Sequence, residues 1–191
     1  MISETRVMEI LKKTGVLLQG HFLLTSGLHS DKYLQCAQVF QYPEYAAELC
    51  QALAEAFAAE KVDLCIGPAL GGVIIAYETA RALHTRGIFA ERDQEGVMTL
   101  RRGFTIEAGE KVLVLEDVVT TGGSVREVID LVGAWGGEVI GVGSLVDRSN
   151  GKVDFGVPYH ALIRFNVNAY RPEECPLCKQ GIPAVKPGSR K

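Results

Sequence analysis

The chain contains 191 residues with a mass of 20.7 kDa; 47% of them are hydrophobic and 23% are charged, a balance that is ordinary for a globular protein and excludes a disordered chain. Its formal net charge of −3 and its pI near 5.8 argue against a nucleic-acid-binding surface, because such surfaces are usually strongly basic. The sequence shows neither a run of about 18 apolar residues nor a secretory signal, so we expect a cytoplasmic protein in which residues 1–191 form a single domain.

Helices and strands alternate along the chain. Ser3 can cap a helix over residues 4–14, and apolar residues at every third or fourth position predict a helix over residues 44–60. The later elements, in chain order, are strand 62–68, helix 71–87, strand 88–92, strand 111–117, helix 124–134, strand 138–147 and strand 159–165. This alternation predicts an α/β fold, in which helices flank a central, mostly parallel sheet. Residues 171–191 end in a stretch rich in proline, glycine and lysine, which predicts a loosely held tail.

Five cysteines occur in the chain. Cys36, Cys50 and Cys65 lie in apolar or helical stretches, where a free cysteine behaves as a small hydrophobic residue in a reducing compartment. Cys175 and Cys178 have the spacing of a chelating pair, but a structural zinc site usually needs four ligands. No histidine is near them in sequence, although one could be near in space; the candidates are His21, His29, His84 and His160. A metal site, a turn in the tail and a site shared in a dimer therefore stay open.

One stretch of the chain combines a buried strand, two acids and a glycine-rich turn. It reads VLVLEDVVTTGGSV and covers residues 112–125. Ligands of open parallel sheets bind at the carboxyl ends of strands, where Glu116 and Asp117 would emerge. The amides of residues 120–124 would lead into the next helix, and small side chains and the helix dipole favour a phosphate nest there. The two carboxylates would accept hydrogen bonds from sugar hydroxyls.

A capped helix start is the alternative interpretation of this stretch. Glycine, serine and threonine are common at helix starts without any ligand, and the stretch matches neither the Walker phosphate loop nor the dinucleotide fingerprint. The adjacent acids favour a ligand, because two carboxylates at the end of a hydrophobic strand are costly unless something uses them. The residues alone therefore predict a site for a sugar phosphate.

Several segments resemble one enzyme family. Residues 116–124 resemble the phosphoribosyl-pyrophosphate-binding motif of type I phosphoribosyltransferases, and residues 66–76, IGPALGGVIIA, resemble the second phosphate-facing loop of that family. Residues 21–35, HFLLTSGLHSDKYLQ, are similar to the N-terminal hood that orotate phosphoribosyltransferases place over the base; its pattern is filled by Phe22, Leu24, Ser26, Gly27, Ser30 and Tyr33. The resemblance spans about residues 5–165.

This resemblance implies a type I phosphoribosyltransferase-like fold with a small N-terminal hood over about residues 1–40. It implies a glycosyltransferase of the pentosyltransferase class that converts orotate and phosphoribosyl pyrophosphate to orotidine 5'-phosphate and diphosphate in pyrimidine biosynthesis. Thr120 and Arg148 would bind orotate. The residues implied to bind phosphoribosyl pyrophosphate are Glu116, Asp117, Val118, Val119, Thr120, Thr121, Gly122, Gly123, Ser124 and Arg92. Mg²⁺ would be carried on the diphosphate, with no direct protein ligand.

Residues 91–109 form a polar segment between two strands that is long enough for a mobile lid or a hairpin. In the family this loop reaches into the neighbouring subunit's site, which implies a homodimer. Arg92 matches the arginine of the family's loop and would be catalytic together with Asp117. No nucleic acid or membrane partner is expected.

The lid departs from the family's common pattern. Residues 93–96 read DQEG where the common enzymes have two lysines and a histidine, and Thr25 and Gly71 replace two further lysines. We hypothesise that Arg101 and Arg102 supply the missing positive charge and are therefore catalytic; a solvated arginine pair is the alternative.

Other functions are compatible with parts of this pattern. A purine or xanthine phosphoribosyltransferase would share the ribose-phosphate motif but not the hood. A non-catalytic regulator that senses phosphoribosyl pyrophosphate would tolerate the loss of the lysines. In the hood, His21 and His29 either touch the substrate or are satisfied within the protein.

Overall fold

The elements of the fold are drawn from residues 2–24, 26–165 and 168–186, which the computed structural model of the chain describes. In chain order they are α1 (Glu4–Lys13), β1 (Leu17–Leu23), β2 (His29–Leu34), a 3-10 helix (Cys36–Gln41), α2 (Pro43–Ala56), β3 (Leu64–Pro68), α3 (Gly71–Leu83), β4 (Arg86–Arg92), β5 (Met98–Thr99), β6 (Lys111–Val119), α4 (Gly123–Ala134), β7 (Glu138–Asp147), β8 (Tyr159–Arg164) and α5 (Pro176–Lys179). Among these residues, no helix combines the length and the apolar character that crossing a membrane requires.

The main sheet has six strands in the described part of the chain, in the order β5-β4-β3-β6-β7-β8. β5 pairs antiparallel with β4, and the other neighbouring strands are parallel. Because β4 lies on one side of β3 and β6 on the other, the direction in which strands are added reverses between β3 and β6. Such a reversal opens a crevice at the carboxyl ends of the strands. The predicted α/β fold with a mostly parallel sheet is confirmed.

Two hydrophobic cores cover the two faces of this sheet. The odd-numbered residues at the start of β6 pack in a core with α1, α2 and α3, and its even-numbered residues pack in a core with α4. After Leu115 this alternation reverses, because Val118 belongs to the first core and Val119 to the second. Glu116 and Asp117 occupy the point of reversal, which removes both acids from the regular packing of the sheet.

Several predicted boundaries differ from the structure: the helix predicted over residues 44–60 ends at Ala56, and two further differences have a clear physical reason. The strand predicted over residues 111–117 continues to Val119, because β7 pairs with β6 beyond the point where β3 stops doing so. The helix predicted over residues 71–87 ends at Leu83, because His84 adopts a left-handed conformation with φ of 55° and stops the helical hydrogen bonding.

The hood contains a two-stranded antiparallel sheet of β1 and β2. The C-terminal segment closes on this sheet. Tyr170 exchanges two backbone hydrogen bonds of 2.8 Å with His29. Val185 accepts a hydrogen bond from the Leu23 amide and donates one to the His21 carbonyl, both in β1. Residues 171–186, predicted as part of a loosely held tail, are therefore anchored to the hood at both ends. Residues 187–191 lie outside the described residues.

Candidate active site

A pocket opens at the carboxyl ends of β3 and β6. β3 pairs with β6 as far as Ile66 and Val114, whereas β7 accompanies β6 to its end, so one edge of β6 is left facing the crevice. The pocket has a volume of about 170 Å³. Its lining residues are Glu116, Val118, Val119, Thr120, Thr121, Gly122, Gly123, Ser124 and Val125. The structure thus places Glu116 and the predicted glycine loop around one cavity.

The glycine loop leads into α4 with its first backbone amides directed out of the helix. Gly122 is the N-cap residue with φ of 76°, and no side chain in the described residues caps this helix end. A Cβ atom at Gly122 would lie 2.8 Å from the ring of Phe155, so both the conformation and the space require glycine. Uncapped amides at a helix N-terminus attract anions. The exposed Thr120 and Thr121 can add hydroxyl donors.

The two acids of β6 lie beside this loop and are strongly desolvated. Burial raises the pKa of Glu116 well above its ordinary value, and the charge on Asp117 raises it further. Burial also raises the pKa of Asp117, while hydrogen bonds oppose that shift; the Val118 amide donates to Asp117 Oδ1 over 2.8 Å. Carboxylates held this way are poorly solvated acceptors, and hydroxyl donors of a ligand would relieve their desolvation.

The start of α3 meets the site at Gly71. A Cβ atom there would lie 2.6 Å from Asp117 Oδ1, so any side chain at this position would displace the carboxylate. The position at which the resemblance implies a lysine thus holds a glycine that packs against Asp117. The other lysine position, Thr25, lies outside the described residues.

Arg148 lies directly behind the glycine loop. Its backbone amide donates to the Val119 carbonyl over 2.7 Å, and its buried Nε has no hydrogen-bond partner among the described residues. Burial lowers the pKa of Arg148, while the neighbouring Cys36 and Tyr33 oppose that shift. A half-buried guanidinium with no acidic partner among the described residues is stabilised when an anion binds it.

The hood approaches Arg148 through β2 and through the start of the 3-10 helix at Cys36. Tyr33 lies near Arg148 and its ring is 5.7 Å from that of Phe22. Cys36 lies between the acids and the arginine: burial and then the charge on Asp117 raise the pKa of its thiol, and Arg148 opposes the shift. The local sequence around Cys36 predicts only a small hydrophobic residue, because Asp117 and Arg148 are distant from it along the chain.

The predicted lid is a short hairpin of β4 and β5 followed by turns. Asp93 accepts two backbone hydrogen bonds of 2.9 Å within the turn, so this acid stabilises the hairpin turn. Arg92 forms an ion pair with Glu127 of α4, with Nη1 2.6 Å from Oε2, and donates to the Gly96 carbonyl. The hairpin thus folds over α4 of its own chain, and Glu127 is a partner that the sequence analysis missed.

Arg101 and Arg102 turn back onto β4. Arg102 donates to Glu91 over 3.0 Å and lies over the Phe89 ring, while Arg101 Nε is 3.7 Å from Glu91 Oε1. These arginines and Arg92 are therefore engaged with acids of the same chain in this conformation. The structure brings together the acids, the glycine loop and Arg148, and it holds the three lid arginines apart from the pocket.

Comparison with known proteins agrees with the geometry. Residues 36–157 match the model of the phosphoribosyl transferase domain family. The chain is 59% identical over 190 residues to an orotate phosphoribosyltransferase of Caldanaerobacter subterraneus, with 100% of each chain covered. It is 56% identical over 184 residues to an orotate phosphoribosyltransferase of Thermotoga maritima, with 96% of this chain and 98% of that one covered.

Solved structures show the same fold. The orotate phosphoribosyltransferase of Aeropyrum pernix aligns with a TM-score of 0.69 at 26% identity, over 83% of this chain and 93% of that one. An adenine phosphoribosyltransferase of Rhodothermus marinus aligns with a TM-score of 0.65 at 22% identity, over 84% and 99% of the two chains. Because the same architecture serves both bases, the fold alone does not select between them.

Proposed function

The chain belongs to the orotate phosphoribosyltransferase family, and from this premise we propose how its residues transfer a phosphoribosyl group to orotate. The activity is a pentosyl transfer of pyrimidine biosynthesis, EC 2.4.2.10, that yields orotidine 5'-phosphate and diphosphate. Residues 1–191 act as one phosphoribosyltransferase domain in this proposal. A cytoplasmic location accords with five cysteines that are all free.

The phosphoribosyl part of the donor occupies the pocket of β6 and α4. The uncapped amides of Gly123 and Ser124 and the hydroxyls of Thr120 and Thr121 bind the 5-phosphate. The ribose 2- and 3-hydroxyls donate hydrogen bonds to Glu116 and Asp117. These bonds replace the hydrogen bonds to water that the two carboxylates lose in the folded chain. The same groups hold the sugar while its anomeric carbon becomes oxocarbenium-like, so the chain contributes positioning and charge stabilisation.

The unpartnered Nε of Arg148 is the observation that favours orotate as the acceptor. The Arg148 side chain is half-buried with a buried, unpartnered Nε, and a planar fork of donors suits the carboxylate of orotate. Adenine has no carboxylate, so it would leave this cation uncompensated. Thr120, next to the same loop, contacts the pyrimidine ring in this arrangement.

Mg²⁺ enters as part of the substrate, bound to the diphosphate oxygens. The desolvated acids at the end of β6 suit a hydrated cation at the edge of the pocket, because Mg²⁺ keeps several waters and rarely needs an all-protein cage. Arg92, Arg101 and Arg102 stabilise the leaving diphosphate once the lid closes, and this role requires them to leave Glu127 and Glu91.

The proposal includes a homodimer whose lid acts in the partner's site. Leu70, Ile74 and Tyr77 lie one helical turn apart at the start of α3 and are 87%, 43% and 63% exposed. An apolar stripe of this kind on a helix supports burial against another chain. It lies on the helix that begins at the candidate site, which would bring the two clefts close together.

The test is a spectrophotometric assay of orotate loss with phosphoribosyl pyrophosphate and Mg²⁺, run beside xanthine and adenine. We expect turnover with orotate alone. Arg148→Met should raise the KM for orotate about 10- to 100-fold with little change in the KM for phosphoribosyl pyrophosphate. Arg171→Met is the matched control, because that side chain is exposed and lies outside the pocket.

Two outcomes would contradict the proposal. Turnover of a purine in place of orotate would indicate a purine phosphoribosyltransferase. Binding of phosphoribosyl pyrophosphate with no turnover of any base at high enzyme concentration would indicate a regulator that senses this metabolite.

A further inference from the structure

Four side chains from distant parts of the sequence converge between the hood and the C-terminal segment. They are His21 of β1, His29 of β2, and Cys175 and Cys178 beside α5, and their four ligand atoms all lie within 4.8 Å of one another. His21 is 4% exposed and Cys175 is fully buried. This group lies outside the phosphoribosyl pocket, and the mechanism proposed above does not use it.

The distances between these atoms are close to the edges of a metal-ion coordination shell: two lie within the range expected for zinc, and the two that involve His29 are shorter. His21 Nε2 lies 2.8 Å from His29 Nδ1 and 3.4 Å from Cys175 Sγ. Cys178 Sγ lies 3.2 Å from His29 Nδ1 and 3.8 Å from His21 Nε2. With bonds of about 2.3 Å to sulfur and about 2.0 Å to nitrogen, a tetrahedral zinc ion separates its ligand atoms by about 3.3 to 3.8 Å.

The orientation of His21 is set for coordination by a contact behind it. Its Nδ1 lies 2.6 Å from the Ile182 carbonyl oxygen, so Nδ1 carries the proton and donates it. The lone pair of Nε2 then points at the other three ligand atoms. Metal-binding histidines are typically held by such a hydrogen bond from the second ring nitrogen.

We propose that His21, His29, Cys175 and Cys178 form a structural Zn²⁺ site. Two thiolates and two imidazoles in a closed, partly buried shell are the donor set of structural zinc, and four protein ligands leave no open position for catalysis. Both thiols lose their protons when the ion binds. This proposal concerns a metal apart from the Mg²⁺ of the substrate and does not depend on the proposed reaction.

The site ties the C-terminal segment to the hood. A two-stranded sheet is marginally stable by itself, and small elements with little core often need a metal or disulfide. The ion would join β1 and β2 to Cys175 and Cys178, between the strand-like contacts of the hood with Tyr170 and Val185. Because Tyr33 of the same hood lies near Arg148, the zinc would hold the roof of the active site in place.

The first experiment measures the metal content of the full chain, purified without chelators and with a reductant. We expect about one zinc per chain by inductively coupled plasma mass spectrometry, and less than about a tenth of that in Cys175→Ser and His29→Ala. His160→Ala and Cys50→Ala are matched controls that should keep the zinc. Cys178→His should also keep it, because histidine can replace the thiolate as a ligand.

A second measurement uses the wild-type chain, so it does not depend on how well the variants fold. Chelated protein reloaded with Co²⁺ should develop the visible bands of tetrahedral cobalt and thiolate charge-transfer absorption. Removal of the metal should also speed amide hydrogen exchange in residues 17–34 and 168–186, while β6 and β7 stay protected.

Three results would overturn the proposal. One is a chain free of metal after expression with added zinc that also fails to take up Co²⁺. Another is a disulfide between Cys175 and Cys178 in the freshly isolated, unreduced protein. Iron bound in place of zinc would refute the identity of the ion.

Discussion

Glu116 shows at the scale of one residue how a binding site is held at the expense of stability. Its side chain is half-buried, and the nearby charge of Asp117 adds to the effect of desolvation in raising its pKa. A carboxyl whose pKa is raised on folding binds protons more strongly in the folded state. Its contribution therefore weakens the ligand-free fold as the pH rises from the ordinary carboxyl pKa through the raised value.

Glu116→Gln should separate stability from activity. The ligand-free variant should unfold at a higher temperature than the wild type near pH 7 and show a smaller loss of stability between acid and neutral pH. Its kcat/KM for phosphoribosyl pyrophosphate should fall about 10- to 100-fold, because a charge-assisted hydrogen bond to the ribose is lost. Thermal melts across pH and steady-state kinetics measure the two effects.

Glu138→Gln is the control for this change, since that glutamate is exposed at the start of β7. It should alter neither quantity. A Glu116→Gln protein that melts at a lower temperature than the wild type at neutral pH would contradict the assignment of an unfavourable buried charge.

The glycine loop and α4 act together as one element. The loop ends in Gly122, whose positive φ and contact with Phe155 set the direction of the first amides of the helix. The proposed anion site therefore depends on the strand, the turn and the helix start together rather than on a single side chain.

Gly122→Ala should weaken both the fold and the donor site. The left-handed conformation costs about 1 to 2 kcal/mol for a residue with a Cβ atom, and the contact with Phe155 adds to it. We expect a lower melting temperature and a higher KM for phosphoribosyl pyrophosphate, measured by calorimetry and kinetics. Gly133→Ala in the same helix, where a Cβ atom meets nothing within 4 Å, is the control, and equal effects at both positions would refute the argument.

The lid hairpin is an element with two sets of partners. In this structure Arg101 and Arg102 are paired with Glu91, so contact with diphosphate would exchange one acidic partner for another. An exchange of this kind keeps both arginines paired with an anion whether the lid is open or closed.

The double variant Arg101→Ala with Arg102→Ala tests this exchange. It should lower kcat about 100-fold, because donors that stabilise charge in the transition state are removed. The control Lys12→Ala with Lys61→Ala removes two positive charges elsewhere and should keep the wild-type rate. An unchanged kcat in the lid variant would assign the pair to a solvated surface.

At the scale of the whole molecule, the proposed dimer brings the lid of one chain to the active site of the other. Arg92 contacts Glu127 within its own chain, and the exposed stripe of Leu70, Ile74 and Tyr77 lies at the start of α3. If the stripe is the dimer interface, the active-site clefts of the two chains border the same interface. The lid of one chain can then reach the cleft of the other.

Subunit mixing measures whether the lid acts in trans. Arg92→Ala and Asp117→Asn should each be nearly inactive alone. After exchange of subunits, half of the dimers are mixed and each has one intact site, so activity should recover to about a quarter of the wild type. Recovery should fail when the stripe carries Tyr77→Glu, and a wild-type protein that sediments as an active monomer would contradict the dimer.

The sequence by itself determined the fold class and the phosphate loop. Residues 112–125 specify their structure locally, because a buried strand, small turn residues and a helix start follow one another along the chain. The same stretch carries the resemblance to the family's binding motif, so a sugar-phosphate ligand is predicted from consecutive residues. Even in this stretch, the sequence does not show the reversal of packing after Leu115, because the reversal depends on which of the two cores each side chain enters.

The tertiary structure alone decided the contacts between distant residues. It placed Gly71 against Asp117, paired Arg92 with Glu127, and brought His21 to Cys175 across 154 positions of the chain. Sequence periodicity reports which face of an element is buried, but not which element packs there. The strand order of the sheet and the return of the C-terminal segment to the hood set these neighbours, so the lid contacts and the zinc site became visible only in three dimensions.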